Sequence, residues 1–397
     1  LGLRVYHGQR SASTSTSDFS PEGIAHLVSG AIALARVTSE DPFSGLPEDD
    51  EYGTLAGDLQ TFHEDVYSLP AAERIGLARR CEEAAMAADA RITNSEGGSF
   101  DAATGRMILA NSRGFAGERR SSYCSLSTSP IAAGSDGQMQ RDYWYSSART
   151  VTRLDSPEDI GREAARRTVR RLDGRRIPTQ RVPIVFAPEL ARGLISYMFE
   201  AANGDSIYRG ASFFAGKLGE QVAADTINVI DDHTIVGGFG TSAFDGEGLP
   251  SRRTVVVENG ILKNYMLNCY TARKLKMKST GNASRGLAGS PGIGAGNLYL
   301  EAGTLTPEAI LGDVRTGLYV TELSGPGVNM VTGDYSRGAA GIWIENGELT
   351  YPVQEITIAG NLQEMFRNIS AIGNDLVFRG STAAPTLRVD GLTIAGC

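Results

Sequence analysis

Histidine and cysteine are scarce in this chain: four of each in 397 residues. The histidines are His7, His26, His63 and His233, and no two share the short helical spacing that turns two imidazoles toward one zinc ion. The cysteines, Cys81, Cys124, Cys269 and Cys397, form no Cys-x-x-Cys. No zinc ribbon, dithiol redox motif or disulfide framework can be read from them. Four dispersed cysteines fit a reducing cytoplasm, and a cytoplasmic location is expected. No apolar run reaches membrane-spanning length, so no membrane association is expected. A basic excess is missing too: 46 acidic residues against 38 basic leave a net charge of −8. That balance argues against nucleic acid as a general partner, because its phosphates need a positive surface.

Familiar catalytic loops are absent as well. There is no Gly-x-Ser-x-Gly nucleophile elbow. The segment GASFFAGKL (210–218) resembles a phosphate loop but has one spacer too many. It also places Leu218 where a hydroxyl must meet magnesium. GSPGIGAG (289–296) is glycine-rich without the dinucleotide-binding spacing.

Glycine is abundant: 48 residues, roughly 12% of the chain against a usual ~7%. Without a collagen period, this predicts many tight turns and a β-rich architecture. The expected fold class is α+β, with N-terminal and middle α/β segments followed by a large β-rich C-terminal domain with few helices. Three domains are expected, at 1–60, 61–178 and 179–397. The start, LGLRVYHGQRS, opens inside a strand-like run, so the first domain is expected to lack a natural beginning.

In the first stretch Ser20 and Pro21 predict a helix start, and Ile24, Leu27, Val28, Ala31, Ile32 and Ala35 fall on one face. The loop DPFSGLPEDDEYG (41–53) reads as a linker. In the second stretch, helices are expected over about 70–89 and 157–172. Strand-like runs RMILANS, SSYCSLSTS and QRDYWYSS lie between them. In the third, RVPIVF and the helix PELARGLISYMFEAA lead into mostly β sequence. Two Asn-Gly pairs, in VVVENGILKNYML and IWIENGELTYPV, predict type I′ hairpins, whose central residues both need positive φ. One amphipathic helix, NLQEMFRNISAIG, is expected among the later strands.

Several motifs have a plain structural reading beside a chemical one. His63-Glu64 begins like a zinc-hydrolase helix, but Tyr67 and Ser68 stand where the second histidine must be. Asp231-Asp232-His233 offers mixed oxygen and nitrogen ligands, although solvated charges at a strand end explain it more simply. The arginines of the second long helix, Arg162, Arg166, Arg167, Arg170 and Arg171, read as a solvated or protein-facing surface. Glu158–Arg162 and Glu163–Arg167 are spaced as ion pairs. Two stretches place small residues beside one arginine, KMKSTGNASRGLAG (276–289) and NMVTGDYSRGAAG (329–341). Small residues admit a close backbone and arginine clamps a carboxylate, so these stretches suit an extended peptide. The candidate peptide contacts are Ser279, Thr280, Asn282, Arg285, Asp334, Ser336 and Arg337. The same stretches also read as glycine-rich sheet turns.

Long blocks resemble a known family. These include RITNSEGGSF, MQRDYWYSSAR, SIYRGASFFAGKLGEQV, the run from GGFGTSAFDGEGL to KSTGNASRG, and GLYVTELSGPGVNMVTGDYSRGAAGIWIENGELTYPVQEITIAGNL. Nearly the whole chain resembles the TldD/PmbA family, in its TldE (PmbA) branch. The resemblance implies a subunit of a cytoplasmic metalloprotease complex of TldD and TldE chains, acting in peptide degradation and maturation. It also carries the older label of a modulator of DNA gyrase. In the TldD branch the metal sits on a His-Glu-x-x-x-His helix just before a segment matching Gly204-Asp205, Arg209-Gly210 and Ser212 here. Counting back puts Ile195, Ser196 and Glu200 at the three functional positions. The resemblance therefore implies no catalytic residue, no metal and no cofactor in this chain. The expected partners are a TldD-type protease subunit, or a second copy in a homodimer, and an unfolded or extended peptide.

Overall fold

Turn chemistry shapes the first element. In the computed structural model, which describes residues 1–135 and 137–396, Gly2–His7 pairs antiparallel with Arg10–Ser15. Gly8, at φ 61°, supplies the turn between them. The helix Pro21–Val37 follows, its start held by Ser20, whose hydroxyl accepts from the Gly23 N–H. Leu27, Ala31 and Ala35 are buried, while Ile24 and Val28 on the same expected stripe are well exposed. The acidic loop 41–53 does not hang free. Arg273 donates to the carbonyls of Phe43, Gly45 and Leu46, and the Gly53 N–H donates to the Gly248 carbonyl.

The middle of the chain is a twisted antiparallel sheet backed by two helices. Ile92–Ala110 and Ala116–Ala133 form one long hairpin, and Met139–Arg141 and Trp144–Ala148 pair with its second strand. Along that strand Cys124, Leu126 and Thr128 are buried while Tyr123 is exposed, but Ser125, on the Tyr123 face, is buried too and donates to the Ser146 carbonyl of the neighbouring strand. Helices Ala71–Ala88 and Pro157–Val169 cross closely where a Cβ on Gly161 would lie 2.4 Å from the Cys81 carbonyl oxygen. A glycine is required there by the approach of the backbones. Cys81, Leu126 and Ile160 fill the space between.

The last part is the β-rich one. A six-stranded mixed sheet runs in the order Glu348–Asn361, Asp334–Glu345, Thr316–Ser324, Gln180–Phe186, Leu387–Ala395 and Ile369–Ile372. Its fifth strand also pairs with its first, closing five strands into a ring. A second sheet holds Arg253–Glu258, Val229–Asp232 and Leu298–Leu300 with two short edge strands. Helix Pro188–Ala201 supplies Leu194, Ile195 and Met198 to the largest core. That core also contains Phe186, Val229, Leu298, Leu318 and Phe366. The class is thus α+β, with the strand-rich portion at the C-terminal end. Both Asn-Gly turns form, with Asn259 and Gly260 at φ 49° and 74° and Asn346 and Gly347 at 52° and 85°. The segment NLQEMFRNISAIG departs from expectation. Only Leu362–Arg367 is helical, and Ile369–Ile372 forms a strand paired with Leu387–Val389. Two β-branched isoleucines beside an open strand edge outweigh the helical period. No described helix is long and apolar enough to cross a membrane.

The three described cysteines are free and buried. Burial pushes the Cys124 thiol up to about 11 and that of Cys81 up to about 12, and raises that of Cys269 further. Cys397 lies outside the described residues. In the folded chain, Ellman's reagent is expected to label none of Cys81, Cys124 and Cys269 at mildly alkaline pH within minutes, and all three after denaturation. Peptide mapping by mass spectrometry reads each site. Rapid native labelling of any of the three would contradict the burial.

Candidate functional site

Helix Pro188–Ala201 is the natural starting point, because it has two unlike faces. One face buries Ala191, Leu194, Ile195 and Met198, with Ile195 fully inaccessible. The other carries Arg192 and Ser196 to a surface cleft of about 490 Å³, with Glu189, Leu323, Arg337 and Gly380–Thr382 around it. The Ser196 hydroxyl donates within the helix, to the Arg192 carbonyl. Glu200 is exposed at the helix end, within reach of the Asn203 amide and the Ser206 hydroxyl. A metal centre on this helix would need imidazoles converging on one point. Instead the first position is a core isoleucine and the last a solvated carboxylate, so these residues do not fit a metal. Among the described residues, no group of three or more histidine, cysteine, aspartate or glutamate side chains is arranged to hold an ion.

The other candidate ligands are committed elsewhere. His63 donates its backbone N–H to the Ser122 hydroxyl, and its Nε2 is buried without a partner. Asp231, Asp232 and His233 are buried rather than solvated, contrary to the simpler sequence reading. Their surroundings explain it, since each carboxylate has donors. Asp231 accepts from the Gly296 N–H at 2.7 Å and from the Asn282 amide at 2.6 Å, and lies 3.1 Å from His233 Nε2. Asp232 accepts from the backbone and hydroxyl of Thr234. The cluster satisfies buried polar groups and fixes the loop.

The seven candidate peptide contacts do not form one site. Ser279 and Asn282 are buried. Ser279 and Thr280 bond the Leu267 carbonyl, and Asn282 bonds Asp231 and the Gly294 carbonyl. Asp334 and Ser336 are exposed on the strand Asp334–Glu345. Arg337, on the same strand, donates to the Tyr197 hydroxyl at 2.8 Å and to the Ser324 carbonyl, at the edge of the helix cleft. Arg285 lies on another cleft, of about 630 Å³, between the long hairpin and the loops of the C-terminal part. Arg119, Arg120, Arg149 and His233 line it with Arg285. Sequence reasoning missed the first three, because only the fold brings strand Ala116–Ala133 against the loop at 285.

The arginine-rich helix is engaged rather than free. Arg162 pairs with Asp159, three residues away, instead of Glu158, while Glu163 pairs with Arg166 at 2.7 Å and, as expected, with Arg167 at 3.9 Å. Glu158 is drawn away by Arg80 of the neighbouring helix. Arg167 stacks on Trp144, its guanidinium 4.4 Å from the ring centre, and Arg171 pairs with Glu322.

Known proteins resemble this chain over nearly its whole length. Residues 64–172 match the PmbA/TldA metallopeptidase central domain and residues 179–396 the PmbA/TldA metallopeptidase C-terminal domain. Metalloprotease PmbA of Escherichia coli O157:H7 is 42% identical across 100% of this chain and 85% of its own length. A PmbA homologue of Haemophilus influenzae is 39% identical over the same shares. A crystal structure of a proposed modulator of DNA gyrase from Bacteroides thetaiotaomicron superposes with a TM-score of 0.92 at 28% identity. It covers 100% of this chain and 88% of that one. TldE from Thermococcus kodakarensis, at 22% identity and a TM-score of 0.86 over 99% and 89% of the two chains, shares the fold. With both domain models and a full-length relative in agreement, the chain belongs to the PmbA/TldD metallopeptidase family.

Proposed function

We propose that this chain is a TldE/PmbA-type subunit without a catalytic metal, which pairs with a TldD-type protease and helps to hold extended peptide during proteolysis and peptide maturation. The observation that carries the reading is helix Pro188–Ala201, where Ile195 is locked in the core and no histidine is present. A histidine pair converts a helix of this kind into a water-activating centre. An apolar stripe in that place packs the core. Arg337 and Arg285, on two different clefts, and the exposed Asp334 and Ser336 remain candidates for peptide contact.

The test is metal analysis and a peptidase assay of the purified chain, alone and mixed with a TldD homologue. The expected result is no stoichiometric metal, no cleavage alone, and chelator-sensitive cleavage of unfolded peptide in the mixture. A chelator is expected to leave the melting temperature of the chain alone unchanged. Chelator-sensitive cleavage by the chain alone would sink the reading. The alternative, a non-proteolytic homodimer that modulates a partner such as gyrase, would find its support in a free basic surface on helix Pro157–Val169. The ion pairs of Arg162, Arg166 and Arg171 weaken that support.

A further inference from the structure

Four guanidinium groups meet around the 630 Å³ cleft without a carboxylate to neutralise them. Arg119 and Arg120 come from the strand Ala116–Ala133, Arg149 from the loop after Trp144–Ala148, and Arg285 from the loop 276–289. Among the described residues, none of the four has a carboxylate ion-pair partner. Their protein contacts are neutral. Arg119 donates to the Ser242 hydroxyl, Arg120 lies 3.9 Å over the Phe62 ring, and Arg149 donates to three backbone carbonyls. Among the described residues, no hydrogen bond holds the Arg285 side chain in its place. Burial lowers the proton affinity of Arg119, Arg149 and Arg285, and the charges of Asp245 near Arg119 and of Glu247 near Arg285 offset this only in part.

The acidic groups on the same cleft offset this charge only in part, Asp245 acting on Arg119 and Glu118 on Arg120 without an ion-pair contact to either. Glu118 is held by both arms of Arg106, and Asp245 is buried and accepts from the N–H groups of Glu247, Leu249 and Ala283. Asp58 faces water and accepts from the Gln60 N–H. In a chain of net charge −8, such a gathering of unpaired cations is a local arrangement rather than a consequence of composition. Partly buried charge is ordinarily paired. A forked guanidinium is matched to a carboxylate, which it can bind through two parallel hydrogen bonds.

We propose that this cleft is a carboxylate-binding site for extended peptide, with Arg285 and Arg120 as its accessible clamps and Arg119 and Arg149 supplying fixed positive charge in the wall. The proposal rests on the reading of this chain as a peptide-holding subunit and adds a preference to it: acidic peptide segments are retained over neutral ones. The cleft volume lies within the ordinary range for ligand sites.

The test uses the chain alone, without protease, so that its failure and failure of the subunit reading are separate. Fluorescence anisotropy compares a labelled octapeptide carrying two glutamates with the same peptide carrying glutamines. The glutamate peptide is expected to bind about tenfold tighter at low salt, and its affinity to fall as salt rises. Arg285→Ala and Arg120→Ala are each expected to cost about tenfold for the glutamate peptide and nothing for the glutamine peptide, while Arg285→Lys recovers part of the loss. Unchanged thermal melts show that the variants fold. An amidated glutamate peptide separates two sources of the carboxylate. Equal binding assigns the contact to the glutamate side chains, as expected, whereas a fall to the affinity of the glutamine peptide would place it at the chain end and overturn the preference for acidic segments. Equal affinity for the two peptides, indifference to Arg285→Ala, or displacement by duplex DNA at matching concentration would overturn it.

Discussion

Ile195→Asp is expected to leave almost no folded chain, while Ser196→Asp, one residue along the same helix, is expected to be nearly silent. Ile195 is fully buried in the largest core, where Leu194, Met198 and Phe186 belong to the same cluster. A carboxylate there has no designated donor. Burying an unpaired charge costs several kcal/mol even after the protein relaxes, and protonation only exchanges that cost for an unsatisfied polar group. A natural domain has only about 5–15 kcal/mol of net stability to lose. Ser196 is exposed, and an aspartate at that position would face Arg192 one turn earlier on the helix. Its effect is expected to stay within about 0.5 kcal/mol. Soluble yield and the urea midpoint measure both variants. Equal tolerance of the two would mean that the helix does not turn its 195 face into the core, and would reopen the question of a metal on it.

Arg149→Ala is expected to be the most damaging loss of a single polar side chain. Arg149 is 8% exposed. Its Nη1 donates to the Ser122 carbonyl at 3.0 Å, and its Nη2 donates to the carbonyls of Gly238 and Phe239 at 3.0 and 2.6 Å. The guanidinium also lies 5.5 Å from the centre of the Phe239 ring. One side chain thus ties the hairpin strand of the middle region to a loop of the C-terminal region. Removing it leaves three carbonyls without their donor where the two regions meet. Hydrogen bonds to a charged donor contribute about 1.5–3 kcal/mol each, and they overlap here, so the net loss is expected at about 3–5 kcal/mol. Arg149→Lys is expected to recover less than half of it. A single ammonium on a flexible stem cannot span carbonyls on two segments as a planar fork does. The denaturant midpoint at unchanged slope gives the value. A loss below about 1 kcal/mol would show that the two regions are held by other contacts.

Turns, caps and one-faced helices were legible in the residues themselves. Ser20 and Ser156 cap the helices that follow them, and both Asn-Gly pairs take the positive φ values that type I′ hairpins need. These features depend on a few neighbouring residues and on backbone sterics, which every copy of the pattern shares. The segment NLQEMFRNISAIG marks the limit. Its helical period is real, but a free edge on Leu387–Val389 captures the two isoleucines at its end. The missing histidines on helix Pro188–Ala201 were equally plain in sequence. That Ile195 fills a core there was visible only as an apolar stripe.

Candidate contacts divided along the same line. Ser279, Thr280 and Asn282 have the residue types of a binding loop, yet their polar atoms are used by Leu267, Asp231 and Gly294. The Arg119, Arg120, Arg149 and Arg285 cleft has no motif, since its members are spread over more than a hundred residues and only Arg285 stands among small residues that single it out. By itself, the sequence determined the local geometry, the α+β class and the absence of a paired-histidine helix. These follow from spacing and side-chain type over a few turns. Only the tertiary structure decided which polar groups are already satisfied and which cations remain unpaired. Desolvation and pairing depend on the neighbours that the whole fold brings together.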